Sequence, residues 1–113
     1  MNMSFSLTTA QYRNRSKTVT RRQGWWYLKP GDVFMGIEKG QGLKKGEKVK
    51  RMHASRVVST REERICDITP KDVVREGFPG KSPEWFVDMY CKANKVDPFD
   101  FCNRIEFEHL EDE

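Results

Sequence analysis

Three kinds of pattern follow one another along the chain. Loosely alternating, β-branched runs occupy residues up to Arg64, helical spacing rules from Pro70 to Tyr90, and strand period returns at Phe101. Residues 4–9 alternate and predict a first strand or its lead-in, while Gln11 to Lys17 is polar and basic, as in a short helix or loop. Lys17-Thr18-Val19-Thr20 is rich in β-branched residues and is expected to be extended. Lys29-Pro30-Gly31-Asp32 marks a turn, after which Asp32 to Ile37 reads as a core strand. Lys39 to Lys50 has no apolar period and contains Gly40, Gly42 and Gly46, so a hairpin loop is predicted there. Val49 to Arg64 predicts one or two further strands.

Helix starts are written plainly. Thr69-Pro70-Lys71-Asp72 sets a capping hydroxyl before Pro at the first helical position and an acid in the first turn; Gly77 then offers a left-handed stop. Ser82-Pro83-Glu84-Trp85 repeats the start. Trp85, Phe86, Met89 and Tyr90 recur at helical spacing, a stripe that reads as core before binding face. From Phe101 to Leu110 alternate positions predict a closing strand, followed by the acidic tail Glu111-Asp112-Glu113. With no repeat and no linker, residues 1–113 read as a single α+β domain of strands, then helices, then a last strand.

Composition narrows the class. Hydrophobic residues make up 36% and charged residues 34% of the 113, a balance expected of a soluble protein. No apolar run nears the roughly 18 residues of a membrane span, and Met1 to Leu7 lacks the order of a secretion signal; a cytoplasmic chain with no membrane partner is expected. Cys66, Cys91 and Cys102 form no Cys-x-x-Cys pair and read as reduced thiols. His53 and His109 stand isolated from any second ligand, so no metal and no cofactor is expected.

Charge is divided unevenly. Residues 1–60 hold 13 Lys or Arg against 3 Asp or Glu, and residues 61–113 hold 8 against 14, giving +10 and −6. Either the front half forms a positive face or the halves neutralise each other on folding. Arg13, Arg15, Lys17, Arg21 and Arg22 put five cations immediately before Trp25-Trp26-Tyr27. Cations beside aromatics suit RNA, because phosphates take the charge while bases stack on rings. The tryptophans read equally well as core. Lys44 and Lys45, with Lys48, Lys50 and Arg51, make a second basic patch or simply a solvated hairpin.

Four features in this order resemble the ASCH family of the PUA-like superfamily. They are Ser16-Lys17-Thr18-Val19-Thr20-Arg21-Arg22, close to a Lys-Thr-x-Thr-x-Arg signature; the Lys29-Pro30-Gly31-Asp32 turn; Ile68-Thr69 leading to Glu76-Gly77-Phe78; and the strand Asn103 to Phe107. The resemblance implies a small PUA-like β-barrel with flanking helices, and a basic cleft between the Lys-Thr-x-Thr segment and the Glu-Gly turn. It implies binding of RNA or a nucleoside there. One branch of that family hydrolyses acetylcytidine with a lysine, a threonine and a glutamate, which fall on Lys17, Thr20 and Glu76, with Arg22 on the arginine that follows. Gln23, where an acid follows in that branch, and the Trp25-Trp26 pair depart from it. The alternatives are therefore a hydrolase of a modified nucleoside amide or of RNA, and a protein-interaction adaptor. Residue types alone favour an ordinary Lys17–Glu76 salt bridge. Strand alternation also sets Lys17 and Thr20 on opposite faces unless the segment bulges or is partly loop.

Overall fold

The computed structural model describes residues 1–40 and 43–111, so Gly42 and the last two residues of the acidic tail lie outside the described residues. Among the described residues, five strands make one mixed sheet: β1 (Asn2–Ser4), β2 (Val19–Arg22), β3 (Val33–Ile37), β4 (Arg51–Arg64) and β5 (Phe101–His109). Their spatial order is β1-β3-β4-β5-β2, with β1 parallel to β3 and every other pair antiparallel. The stretch read as one or two strands is one strand of 14 residues, β4. It pairs with β5 from Ser55↔His109 to Arg64↔Phe101, with one register shift between Val57 and Ser59.

The expected barrel is not closed. β1 and β2 lie at opposite ends of the strand order. They have only three and four residues. Just before β2, the Thr18 N–H goes to the carbonyl of Arg75 at 2.8 Å, so a helix end meets the chain where a closing strand would pair.

Among the described residues three α-helices accompany the sheet: α1 (Thr9–Arg13), α2 (Pro70–Arg75) and α3 (Pro83–Asn94). Both predicted starts hold for the predicted reason. Thr69 Oγ1 accepts the Asp72 N–H at 3.2 Å, and Ser82 Oγ accepts the Trp85 N–H at 3.1 Å. Past α2, Gly77 takes φ +106°, and a Cβ there would press on the Gln11 side chain at 2.9 Å. That glycine turns the chain immediately after Glu76.

Two apolar clusters lie on the two faces of β5. Ile105 and Phe107 join Met3, Phe5, Tyr12, Leu28, Phe34 and Val57; Cys102 joins Ile65, Ile68, Val73, Phe86 and Tyr90. Covered on both sides, β5 is buried from Cys102 through Ile105. Each large apolar side chain so placed contributes about 1.5–3 kcal/mol. No helix among the described residues is long and apolar enough to cross a membrane.

Candidate functional site

Lys17 lies just ahead of β2, in the loop part of its segment, so strand alternation does not govern it. Its ammonium, 3% exposed, donates to Glu76 Oε1 at 2.7 Å and to the Glu76 carbonyl at 2.8 Å. Burial lowers the Lys17 pKa, with Glu76 opposing that pull. Within β2, Arg21 reaches Glu76 Oε2 at 3.1 Å, Asp72 Oδ2 at 2.6 Å and Glu63. Arg104 of β5 grips Asp72 with two hydrogen bonds, at 2.6 and 3.0 Å. Burial alone would raise the Asp72 pKa, but the bonds from Arg104 and Arg21 outweigh it and hold the carboxyl well below the usual range. Three cations thus meet three carboxylates in the wall between β2, β5 and α2. Charge from the front of the chain is neutralised by charge from its middle.

In front of this wall opens a cavity of about 550 Å³, within the range of small-molecule sites. Lys17, Thr20, Arg22 and Glu76 line it on one side, Phe5 and Trp25 on another, and Phe86 and Tyr90 of α3 on a third. It therefore sits where the two apolar clusters meet. Thr20 is buried and its Oγ1 accepts from Arg22 Nε at 3.1 Å. The Arg22 guanidinium lies 4.8 Å from the Phe5 ring centroid and has no carboxylate partner among the described residues. Burial pulls its pKa down to about 10, leaving it charged at neutral pH.

Tyr90 faces the cavity with a hydroxyl that burial pushes up to about 12, so it stays protonated. It accepts from Gln23 Nε2 at 3.2 Å, which leaves its own O–H to donate elsewhere. Trp25 adopts φ +62°, an uncommon conformation for a bulky residue. Asn103 Nδ2 holds that turn by donating to the Trp25 carbonyl at 3.0 Å. Strain of this kind, held by neighbouring structure, is a feature of binding sites.

No family model and no curated protein matches the sequence. Solved structures do match in shape. A crystal structure of an ASCH domain from Lactobacillus crispatus superposes with a TM-score of 0.62 at 13% identity, covering 91% of this chain and 70% of that one. The fold is ASCH-like. A crystal structure of a DUF984 protein from Enterococcus faecalis gives a TM-score of 0.61 at 12% identity over 86% of this chain. This chain spans 63% of the length of that second protein.

The ASCH-like fold brings some of the sequence candidates together and separates others. Lys17, Thr20, Arg22, Trp25 and Glu76 share the cavity, and Arg21 lies in its wall with its guanidinium engaged by acids behind it. Arg13 is exposed and pairs with Glu38, and Arg15 donates to the Leu110 carbonyl at 3.2 Å. Trp26, 53% exposed, and the exposed Lys44 and Lys45 do not line this cavity.

The two histidines, isolated in sequence, are neighbours in space: His53 Nε2 and His109 Nδ1 are 2.6 Å apart across β4 and β5. His109 Nε2 in turn lies 2.6 Å from the Lys17 carbonyl. A carbonyl only accepts, so Nε2 carries the proton and Nδ1 receives one from His53. None of the three cysteines forms a disulfide; Cys102 is buried and its thiol is pushed up to about 12. Sequence reasoning missed Asp72, Gln23 and Tyr90 as parts of the site. Asp72 looked like a helix-start acid, Tyr90 like a core stripe, and Gln23 was visible only as a departure from the family pattern.

Proposed function

We propose that this ASCH-like chain binds a nucleobase in the cleft between the Lys-Thr-x-Thr-Arg-Arg segment and the Glu-Gly turn. The base comes as a free nucleoside or as an unpaired base of RNA. One observation carries this reading. A single cavity combines aromatic surface from Trp25 and Tyr90 with the donors Arg22 and Tyr90, the Gln23 amide, whose Nε2 already donates to Tyr90 and to the Phe101 carbonyl, and the acid Glu76. A base offers a flat face for stacking and an edge of mixed donors and acceptors, which such a lining complements. Calorimetric titration with the common nucleosides and short single-stranded RNAs tests it. Saturable binding of at least one nucleoside is expected, and RNA affinity should fall with salt in proportion to the phosphates engaged. Absence of binding to every nucleoside and RNA would refute the reading.

A second reading, amide hydrolysis on a modified nucleoside, is favoured by the contact between Lys17 and Glu76 in the wall that also holds Thr20. In that reading neutral Lys17 takes the proton from Thr20 or water as that oxygen bonds to the acetyl carbon. The C–N bond then breaks, the same proton passes by way of Glu76 to the leaving amine, and an acetyl group carried on Thr20 is released as acetate by a water. Incubation with acetylcytidine, followed by mass spectrometry, should show loss of the acetyl group. Lys17→Ala, Thr20→Ala and Glu76→Ala should each abolish that loss, and an unaltered acetylcytidine mass with the wild-type protein would reject the chemistry.

A further inference from the structure

Among the described residues, every cation in the wall of the cleft except one is matched. Lys17 touches Glu76, and Arg21 touches Glu63, Asp72 and Glu76. Arg22 has no ion pair among the described residues. Its Nε donates to Thr20, its plane rests near Phe5, and its two terminal nitrogens have no protein acceptor among the described residues. Among the described residues, no fully buried side-chain nitrogen or oxygen lacks a hydrogen-bond partner. Those terminal nitrogens are therefore not sealed in the protein, and Arg22 lines the cavity.

A half-buried guanidinium stripped of most of its water is costly until something anionic restores its hydrogen bonds. Its fork matches the paired oxygens of a phosphate or carboxylate. Ser4, Ser6 and Thr8 line the same cavity, and a phosphate has oxygens to spare for hydroxyl and main-chain donors. The only acid among the described lining residues, Glu76, already faces Lys17 and Arg21. Space is sufficient, since about 550 Å³ exceeds what a base alone fills.

We infer that the cleft seats a phosphate on Arg22 beside the base, so that its ligand class is the nucleoside monophosphate, or a base with its flanking phosphate, in preference to the bare nucleoside. This rests on the nucleobase reading above. The phosphate is the anion that a base-bearing ligand brings with it, whether it arrives as a free nucleotide or within a strand.

Calorimetry at low salt with cytidine, CMP, the other three nucleoside–monophosphate pairs, a trinucleotide and inorganic phosphate separates the possibilities. For the preferred base, the monophosphate should bind roughly tenfold or more tightly than its nucleoside, as charge-assisted hydrogen bonds imply. That ratio should shrink as salt rises. Arg22→Gln should bring the ratio close to one. If that variant does not fold, the salt dependence of the wild-type ratio decides the matter alone. A trinucleotide that outbinds the monophosphate assigns the phosphate to a strand, and the reverse assigns it to a free nucleotide. Equal affinity for nucleoside and monophosphate would overturn the phosphate seat and leave the nucleobase reading standing. Binding of inorganic phosphate and monophosphates alike, with no gain from the base, would keep the seat and overturn the nucleobase reading. Binding of none of them would overturn both.

Discussion

Lys17 donates to Glu76 twice, to the carboxylate at 2.7 Å and to the main-chain carbonyl at 2.8 Å. The carbonyl contact ties the entrance of β2 to the end of α2, and the carboxylate contact turns the Glu76 side chain toward Arg21 as well. Two segments far apart in sequence are fixed edge to edge, and the cavity opens in front of their junction. The geometry of the cleft therefore depends on a charged network behind it.

Asp72 is the centre of that network. It receives Arg21 and both arms of Arg104, so Asp72→Ala leaves two buried guanidinium groups with reduced compensation. The loss of one partner in a buried ionic cluster costs about 3–5 kcal/mol. Urea unfolding of the variant should show a destabilisation of that order, and a change within about 0.5 kcal/mol, as at an ordinary surface site, would contradict the role assigned to Asp72.

Gly36→Ala should be severe for a steric reason. A Cβ at Gly36 would overlap the ring of Tyr12. That ring cannot swing away: it stacks on Phe5 at 4.1 Å and on His53 at 4.4 Å, and its hydroxyl donates to the His53 carbonyl at 3.0 Å. Forcing extra volume into such a site costs about 1–3 kcal/mol. Thermal unfolding should occur at a clearly lower temperature, and an unchanged midpoint would show that Tyr12 is not held as described.

His109 makes stability depend on pH. Burial lowers its pKa, the Lys17 carbonyl partly offsets that, and Arg15 adds to the lowering. Tyr12 of α1, His53 of β4 and Phe107 of β5 pack around it. Because the folded pKa lies below the ordinary value near 6.5, the unfolded chain takes up the proton first as pH falls. The stability tied to neutral His109 is present above about pH 6.5 and is lost as pH drops through the lowered value. Urea midpoints should fall between pH 7.5 and pH 5.5, well before the Asp72 carboxyl matters. A midpoint that stays level or rises over that interval, or a His109 titration by NMR above 6.5, would contradict the arrangement.

Much of the fold was legible because its signals are local. Thr69-Pro70 and Ser82-Pro83 announce helices through a hydroxyl cap and a proline that needs no donor, and both helices begin there. The period of Phe101 to Leu110 gave β5 almost to the residue. What the sequence hid depends on pairing at a distance. Nothing local says that Val49 to Arg64 contains one long strand, that β1 and β2 stay apart, or that His53 and His109 meet across β4 and β5. The site divides the same way. Lys17, Thr20 and Glu76 were named through family resemblance, whereas alternation argued against Lys17 and Thr20 sharing a cleft. They share it because the strand begins at Val19. Arg21 and Arg22 look alike in sequence, yet one turns inward to acids and the other lines the cavity, a difference created by the pleat of β2.

The most direct measurement is a titration of isotope-labelled protein with the tightest-binding nucleoside or monophosphate, followed by backbone and side-chain NMR. Binding in the cleft predicts saturable shifts concentrated at Thr20, Arg22, Gln23, Tyr90 and the Trp25 indole, with the 44–50 loop left in place. Shifts centred on Lys44 to Lys50, or scattered without saturation, would contradict the cleft as the binding site.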